Sequence, residues 1–169
     1  CGDKVTDMSS AYYGCTNLTT AVCGPNVKYM TNAYNNCTNL TTAVCGPNVT
    51  SMQYVYEGCT NLTTAVCGDN VTSMDSTYLD CTNLTTAVCG DKVTNMCFAY
   101  YGCTNLTTAA CGPNVTDISY AYRNCTNIQG NSYFYSPNIS SIRSCFSGRN
   151  TSNMLNVYVQ ENSTTMNTC

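Results

Sequence analysis

Apolar and polar positions along this chain recur every 22 residues. Units open at Cys1, Cys23, Cys45, Cys67, Cys89 and Cys111, and a second cysteine follows fourteen residues into each, at Cys15, Cys37, Cys59, Cys81, Cys103 and Cys125. Each unit approximates C-G-[PD]-[NK]-V-x-x-[MI]-x-x-[AVT]-Y-x-x-C-T-N-[LI]-T-T-A-V, and near-identity over six copies marks a repeat architecture. Leu18, Ala21 and Cys23 have strand spacing, and alternation turns Ala21 and Cys23 inward and Thr20 and Val22 outward. Gly24-Pro25 ends that strand, because Pro has no N–H to give a ladder. Val27, Met30, Ala33 and Tyr34 lie at i, i+3, i+6 and i+7, which predicts a short helical or 3₁₀ segment folded back over the core. Before the second cysteine, Gly14, Asn36, Gly58, Gly102 and Asn124 suit a turn at positive φ.

One such coil cannot bury its own apolar face, whereas stacked coils can. The expected architecture is a repeat solenoid with one parallel strand and one short helical or 3₁₀ segment per 22-residue coil. Residues 1–169 form a single solenoid domain in this reading, with six regular coils over 1–132 and degenerate coils over 133–169. In the degenerate part Tyr135-Ser136-Pro137-Asn138-Ile139 replaces C-G-P-N-V, and two extra residues enter before each of the last two strands. Met154, Val157 and Val159 begin another coil, and Glu161 to Cys169 reads as a partial coil or frayed end. Because Cys1 starts inside a strand with no polar cap before it, the chain reads as a segment of a longer array.

Composition narrows the chemistry. Charged residues are only 9 % of the chain and the net charge is −3, so there is no electrostatic footprint for nucleic acid. No apolar run approaches the roughly 18 residues of a membrane span, and no signal peptide is evident. The 15 cysteines raise three alternatives: disulfides, metal ligands or core thiols. Equivalent cysteines in adjacent coils have Cβ atoms about 4.8 Å apart, beyond the ~3.8 Å of a bridge. The two series are therefore expected as ladders of buried free thiols, although pairing between the series stays open. Recurring gaps of fourteen and eight, without any His, do not match zinc spacing. No cofactor is expected. With no His as general base and acids confined to turn positions such as Asp3, Asp69 and Asp91, no enzymatic activity is expected.

The sequons at Asn17, Asn39, Asn61, Asn83 and Asn105, and at Asn48, Asn70 and Asn114, read first as turn residues of the repeat. Tyr12, Tyr34, Tyr56, Tyr78, Tyr100, Tyr122 and Phe146 form an aromatic core ladder, each hydroxyl reaching the surface or a backbone partner.

The order strand, P-x-x-V-x-x-M, Ala11-Tyr12, Gly14-Cys15-Thr16-Asn17-Leu18 resembles the BspA-like leucine-rich-repeat family, from Cys1 to about Val159. The chain departs from that family by using Tyr for Phe, and Ala and Cys for the large strand aliphatics. The resemblance implies a non-enzymatic scaffold for adhesion or recognition, extracellular on a cell surface or in a phage virion. Two faces could meet a partner. Nearly unvaried, the strand face carries Thr20, Thr42, Thr64, Thr86 and Thr108 beside Val22, Val44, Val66 and Val88, as an assembly contact would. The opposite face varies between coils and offers Tyr29, Tyr54, Leu79, Phe98, Tyr101, Tyr120 and Arg123 as anchors. Expected partners are a cell-surface protein or glycan, or further copies of the chain. The alternative functions are a fibre or filament building block and, from the Thr column, an ice-binding solenoid.

Overall fold

The structure, a computed structural model, describes residues 2–152 and 154–159; the tail from Glu161 onward lies outside them. The chain winds in stacked coils whose most regular seam falls at the seventh position of the repeat. Asp7, Tyr29, Ser51, Ser73, Asn95, Asp117 and Ser141 pair in parallel, each with the next. Flanking backbone bonds close this seam: Met8, Met74 and Ile118 N–H each donate at 2.8 Å to the carbonyls of Tyr29, Asn95 and Ser141.

The helical or 3₁₀ segment expected after it is not formed, and no helix occurs among the described residues. Consecutive turns take its place. Odd-numbered N–H groups bond three residues back within the coil, as Ala33 does to Met30 and Cys37 to Tyr34. Even-numbered ones cross to the next coil instead, as Asn32 does to Gln53, Tyr34 to Val55 and Asn36 to Glu57. The cause is backbone handedness. The tenth and fourteenth positions of the repeat both take positive φ, for example Asn32 (57°) and Asn36 (59°), and a left-handed residue at each site ends any helical run. The expected positive φ holds at Gly14, Asn36, Gly58, Gly102 and Asn124, and also at Asp80.

Strands of more than one residue form only towards the C-terminal end: β1 (Ala110–Cys111), β2 (Gly130–Phe134) and β3 (Leu155–Val159), in one parallel sheet of order β1-β2-β3. In earlier coils the expected strand segment forms no strand among the described residues, and its single bridge is Thr20–Thr42. In several coils tyrosine hydroxyls take backbone groups of this segment. Tyr100 Oη accepts from Val88 N–H (3.0 Å) and donates to Val88 C=O (2.7 Å), the two groups a ladder would have used. Tyr78 holds both backbone groups of Val66, Tyr122 both of Ala110, and Tyr34 the Val22 carbonyl. Phe146 stands at the next position of the aromatic stack. It has no hydroxyl, and beyond it β2 and β3 pair over five residues, Gly130–Leu155 to Phe134–Val159. Insertions fall differently from the expected two and two. β2 partners β1 at a spacing of 23 residues and β3 partners β2 at 25, so one residue enters before β2 and three before β3.

One apolar core runs from Met8 to Cys145 and includes the predicted Val27, Met30, Ala33 and Tyr34 with their equivalents. Its spine is the aromatic stack Tyr12-Tyr34-Tyr56-Tyr78-Tyr100-Tyr122-Phe146, with ring centroids 5.2–5.8 Å apart and planes within 14° of parallel. Glycine after the first cysteine is required by close approach. A Cβ at Gly112 would lie 2.9 Å from the Gly90 carbonyl and 3.0 Å from Cys89 Sγ of the coil before.

Candidate functional site

The repeat presents three kinds of side chain that could carry chemistry or recognition: thiols, sequon asparagines and the varied face. All 13 described cysteines are free. In the second series each thiol meets the backbone carbonyl of a tyrosine in the preceding coil: Cys37 on Tyr12, Cys59 on Tyr34, Cys81 on Tyr56, Cys103 on Tyr78 and Cys125 on Tyr100, at 2.9–3.1 Å. These five are buried, whereas Cys15, over which no described coil lies, is exposed and corrects the expectation that it is buried. In the first series Cys23, Cys45, Cys67 and Cys89 are half-buried and Cys111 is buried; these thiols point at the carbonyl of the following glycine (3.6–3.7 Å). Burial pushes the thiols of Cys45, Cys59, Cys89, Cys111 and Cys125 up to about 12, far from the thiolate a nucleophile or metal ligand needs. Among the described residues no group of three or more His, Cys, Asp or Glu is placed to hold a metal.

Seven of the eight sequon asparagines make side-chain hydrogen bonds between coils. Asn61, Asn83 and Asn105 each donate Nδ2 to the side-chain oxygen of the asparagine one coil earlier, at 3.2–3.4 Å, building an amide ladder from Asn39 to Asn105. Asn48, Asn70 and Asn114 donate theirs to backbone carbonyls of the preceding coil, at 2.7–2.8 Å.

The varied face gathers the exposed Tyr54 with the half-buried Phe98, Tyr101 and Tyr120. Position ten of the repeat lies at a left-handed backbone, with Tyr54 at φ 57°, Phe98 at 53° and Tyr120 at 57°. An aromatic residue there is uncommon and costs of order 1 kcal/mol or more, and it throws the ring outward. Tyr54, Leu79 and Phe98, with Asp75, Ser76 and Cys97, line one shallow open depression of about 310 Å³. Phe98 joins that depression to a second group. It stacks on Tyr120 at 4.7 Å and leans on Tyr101 at 5.9 Å. Arg123 and Arg143 each set a guanidinium carbon 5.6 Å from the Tyr120 ring centre. Tyr101 Oη accepts from Asn124 Nδ2 (3.2 Å), which ties the cluster to the turn beneath it. Six of the seven predicted anchors thus converge. The seventh, Tyr29, is 57 % exposed but sits on the position-seven seam, outside the cluster. Sequence reasoning missed Arg143, because the register there has slipped to 24 residues (Asp117 pairs with Ser141).

The strand face has the expected polarity. Thr20, Thr42, Thr64, Thr86 and Thr108 are exposed, as are Val22 (54 %) and Val44 (46 %), while Val66 and Val88 are half-buried. Register carries the valine column through Ala110 into Tyr133 and Tyr158, which are exposed and stack at 5.1 Å. It carries the threonine column into Asn131 and Asn156, joined by an amide bond of 3.1 Å. These tyrosines went unread because the 22-residue alignment fails beyond Gln129.

Parallel stacked coils with a repeating apolar spine define the class of leucine-rich-repeat proteins. The chain belongs to the BspA type leucine-rich-repeat family, whose model of six copies matches residues 5–100 and 77–169. Solved structures agree on the fold. A Treponema pallidum leucine-rich-repeat protein has a TM-score of 0.70 at 17 % identity, covering 78 % of this chain and 63 % of that one. A leucine-rich-repeat protein from Bacteroides ovatus ATCC 8483 has a TM-score of 0.55 at 14 % identity, covering 92 % of this chain and 59 % of that one. This chain therefore spans less than two thirds of either neighbour. No curated protein sequence matches it.

Proposed function

We propose that the chain is a non-enzymatic recognition scaffold, displayed outside the cell or on a virion, whose varied face binds a partner in adhesion. The observation that carries this reading is the convergence of Tyr54, Leu79, Phe98, Tyr101, Tyr120 and Arg123 on one patch. Aromatic residues and arginine are the commonest energetic anchors of interfaces, and three of these aromatics occupy the left-handed position ten, where other coils carry Ser or Asn. Family membership supports a repeat scaffold, and the surface-protein character of the family supports the location. The test is binding of the folded chain to a panel of purified extracellular-matrix proteins and to a glycan array. Phe98→Ser with Tyr120→Ser abolishes the binding found, and Thr42→Ser with Thr64→Ser leaves it intact; the reverse pattern refutes the assignment.

A second reading, lateral assembly of a structural filament, rests on the exposed valine and tyrosine column of the strand face. Under that reading sedimentation shows concentration-dependent association, which Val22→Lys with Val44→Lys removes.

A further inference from the structure

Every arginine of the chain (Arg123, Arg143, Arg149) lies in its last third, although the net charge is −3. Two of them meet on one ring, with Arg123 and Arg143 both 5.6 Å from the centre of Tyr120. Two positive charges thus border one ring, and neither guanidinium forms an ion pair or side-chain hydrogen bond with a described residue. Their planar donor sets are left to a ligand, and a carboxylate is the group such forks fit best. Beneath them the hydroxyls of Ser119 and Ser141 bond each other at 2.5 Å and so are already engaged.

Resting on the recognition reading above, we infer that this patch binds an acidic peptide segment of a protein partner, its carboxylate between Arg123 and Arg143 and a neighbouring apolar side chain in the Tyr54–Leu79–Phe98 depression. Phe98 separates the two subsites. It lines the depression and stacks on Tyr120 at 4.7 Å, so an extended peptide at about 3.3 Å per residue spans them in two to four residues. Polarity follows from the acid on the other side. Asp75 lines the depression and repels a carboxylate from that end. An apolar side chain suits the depression better than a sugar does. Phe98 and Tyr120 turn ring faces against each other, which covers one face of each to a pyranose.

The experiment selects binders to the full folded chain from a random dodecapeptide display library, then measures the selected peptides by fluorescence anisotropy. The expected winners carry Asp or Glu two to four residues from Leu, Ile or Phe. Their affinity falls at least tenfold in Arg123→Gln with Arg143→Gln and partly recovers in the double Lys variant. It falls several-fold more between 50 and 500 mM NaCl. Thermal melting confirms that each variant is folded. Winners without an acidic residue, or with affinity indifferent to the double Gln variant but lost in Phe98→Ser, overturn the carboxylate assignment and leave the recognition patch standing. Winners indifferent to Phe98→Ser as well overturn both. Tighter binding of a sialylated or sulfated oligosaccharide than of any selected peptide also overturns the inference.

Discussion

Two tyrosines of the same ladder should respond oppositely to the loss of a hydroxyl. Tyr100 and Tyr56 are both fully buried, both stack on neighbours in the spine, and differ in what the hydroxyl does. Tyr100 Oη closes both backbone groups of Val88, at 3.0 and 2.7 Å. Tyr56 Oη is buried with no partner among the described residues. Phenylalanine preserves each ring and its stacking. In Tyr100→Phe it leaves a backbone N–H and C=O without their partner, and an unsatisfied buried group costs about 1–3 kcal/mol. Because Val88 is half-buried and water can reach part of it, about half of the two-group sum applies, giving about 1–3 kcal/mol overall. In Tyr56→Phe an unsatisfied hydroxyl leaves the core, which is neutral or stabilising by up to about 1 kcal/mol. A chain of this size moves by roughly 2–4 °C in Tm per kcal/mol. Scanning calorimetry should therefore place Tyr100→Phe about 2–12 °C below the parent, with Tyr56→Phe level with it or slightly above. Equal losses in both variants, or a larger loss in Tyr56→Phe, refute the claim that the Tyr100 hydroxyl satisfies the backbone of Val88.

Other consequences are as direct. Gly112→Ala puts a methyl group against the Gly90 carbonyl and Cys89 Sγ at 2.9–3.0 Å, so it should destabilise by about 1–3 kcal/mol in a urea melt; an unchanged midpoint contradicts the close approach. Five thiols that keep their protons to about pH 12 when folded release them near 9 when unfolded. Stability is then level below pH 9 and falls between 9 and 12 by up to about 1.4 kcal/mol per pH unit for each thiol. A melting temperature that holds steady to pH 11 excludes this. Finally, expression in a glycosylating host should leave Asn61 and Asn83 unmodified in folded protein, because their amides are bonded within the ladder; a glycan at either site by peptide mass mapping contradicts it.

Much of this was legible in the sequence, because a repeat states its core several times over. The inward Val27, Met30, Ala33 and Tyr34 and the outward Thr20 and Val22 follow from alternation and spacing alone. The left-handed turn at Asn36 was readable because Asn and Gly signal it. The turn at position ten was not readable. Tyr54, Phe98 and Tyr120 seldom adopt positive φ, so nothing in their identity announced the break that replaces the helical segment with turns. Nor could composition reveal that Tyr in place of Phe redirects backbone hydrogen bonds, since that depends on a hydroxyl reaching a residue twelve positions back. Most of the recognition patch was found by its variation from coil to coil. Arg143 escaped because inserted residues had shifted it out of the repeat alignment.

The account rests on coils held by stacked aromatic rings and backbone seams, with no covalent staple among the described residues. The most direct test is intact mass after alkylation of the unfolded protein, with and without prior reduction. The structure requires that at least the 13 described cysteines alkylate without reduction. A mass gain that appears only after reduction would show that the ladders are disulfides and would contradict the packing described for both cysteine series.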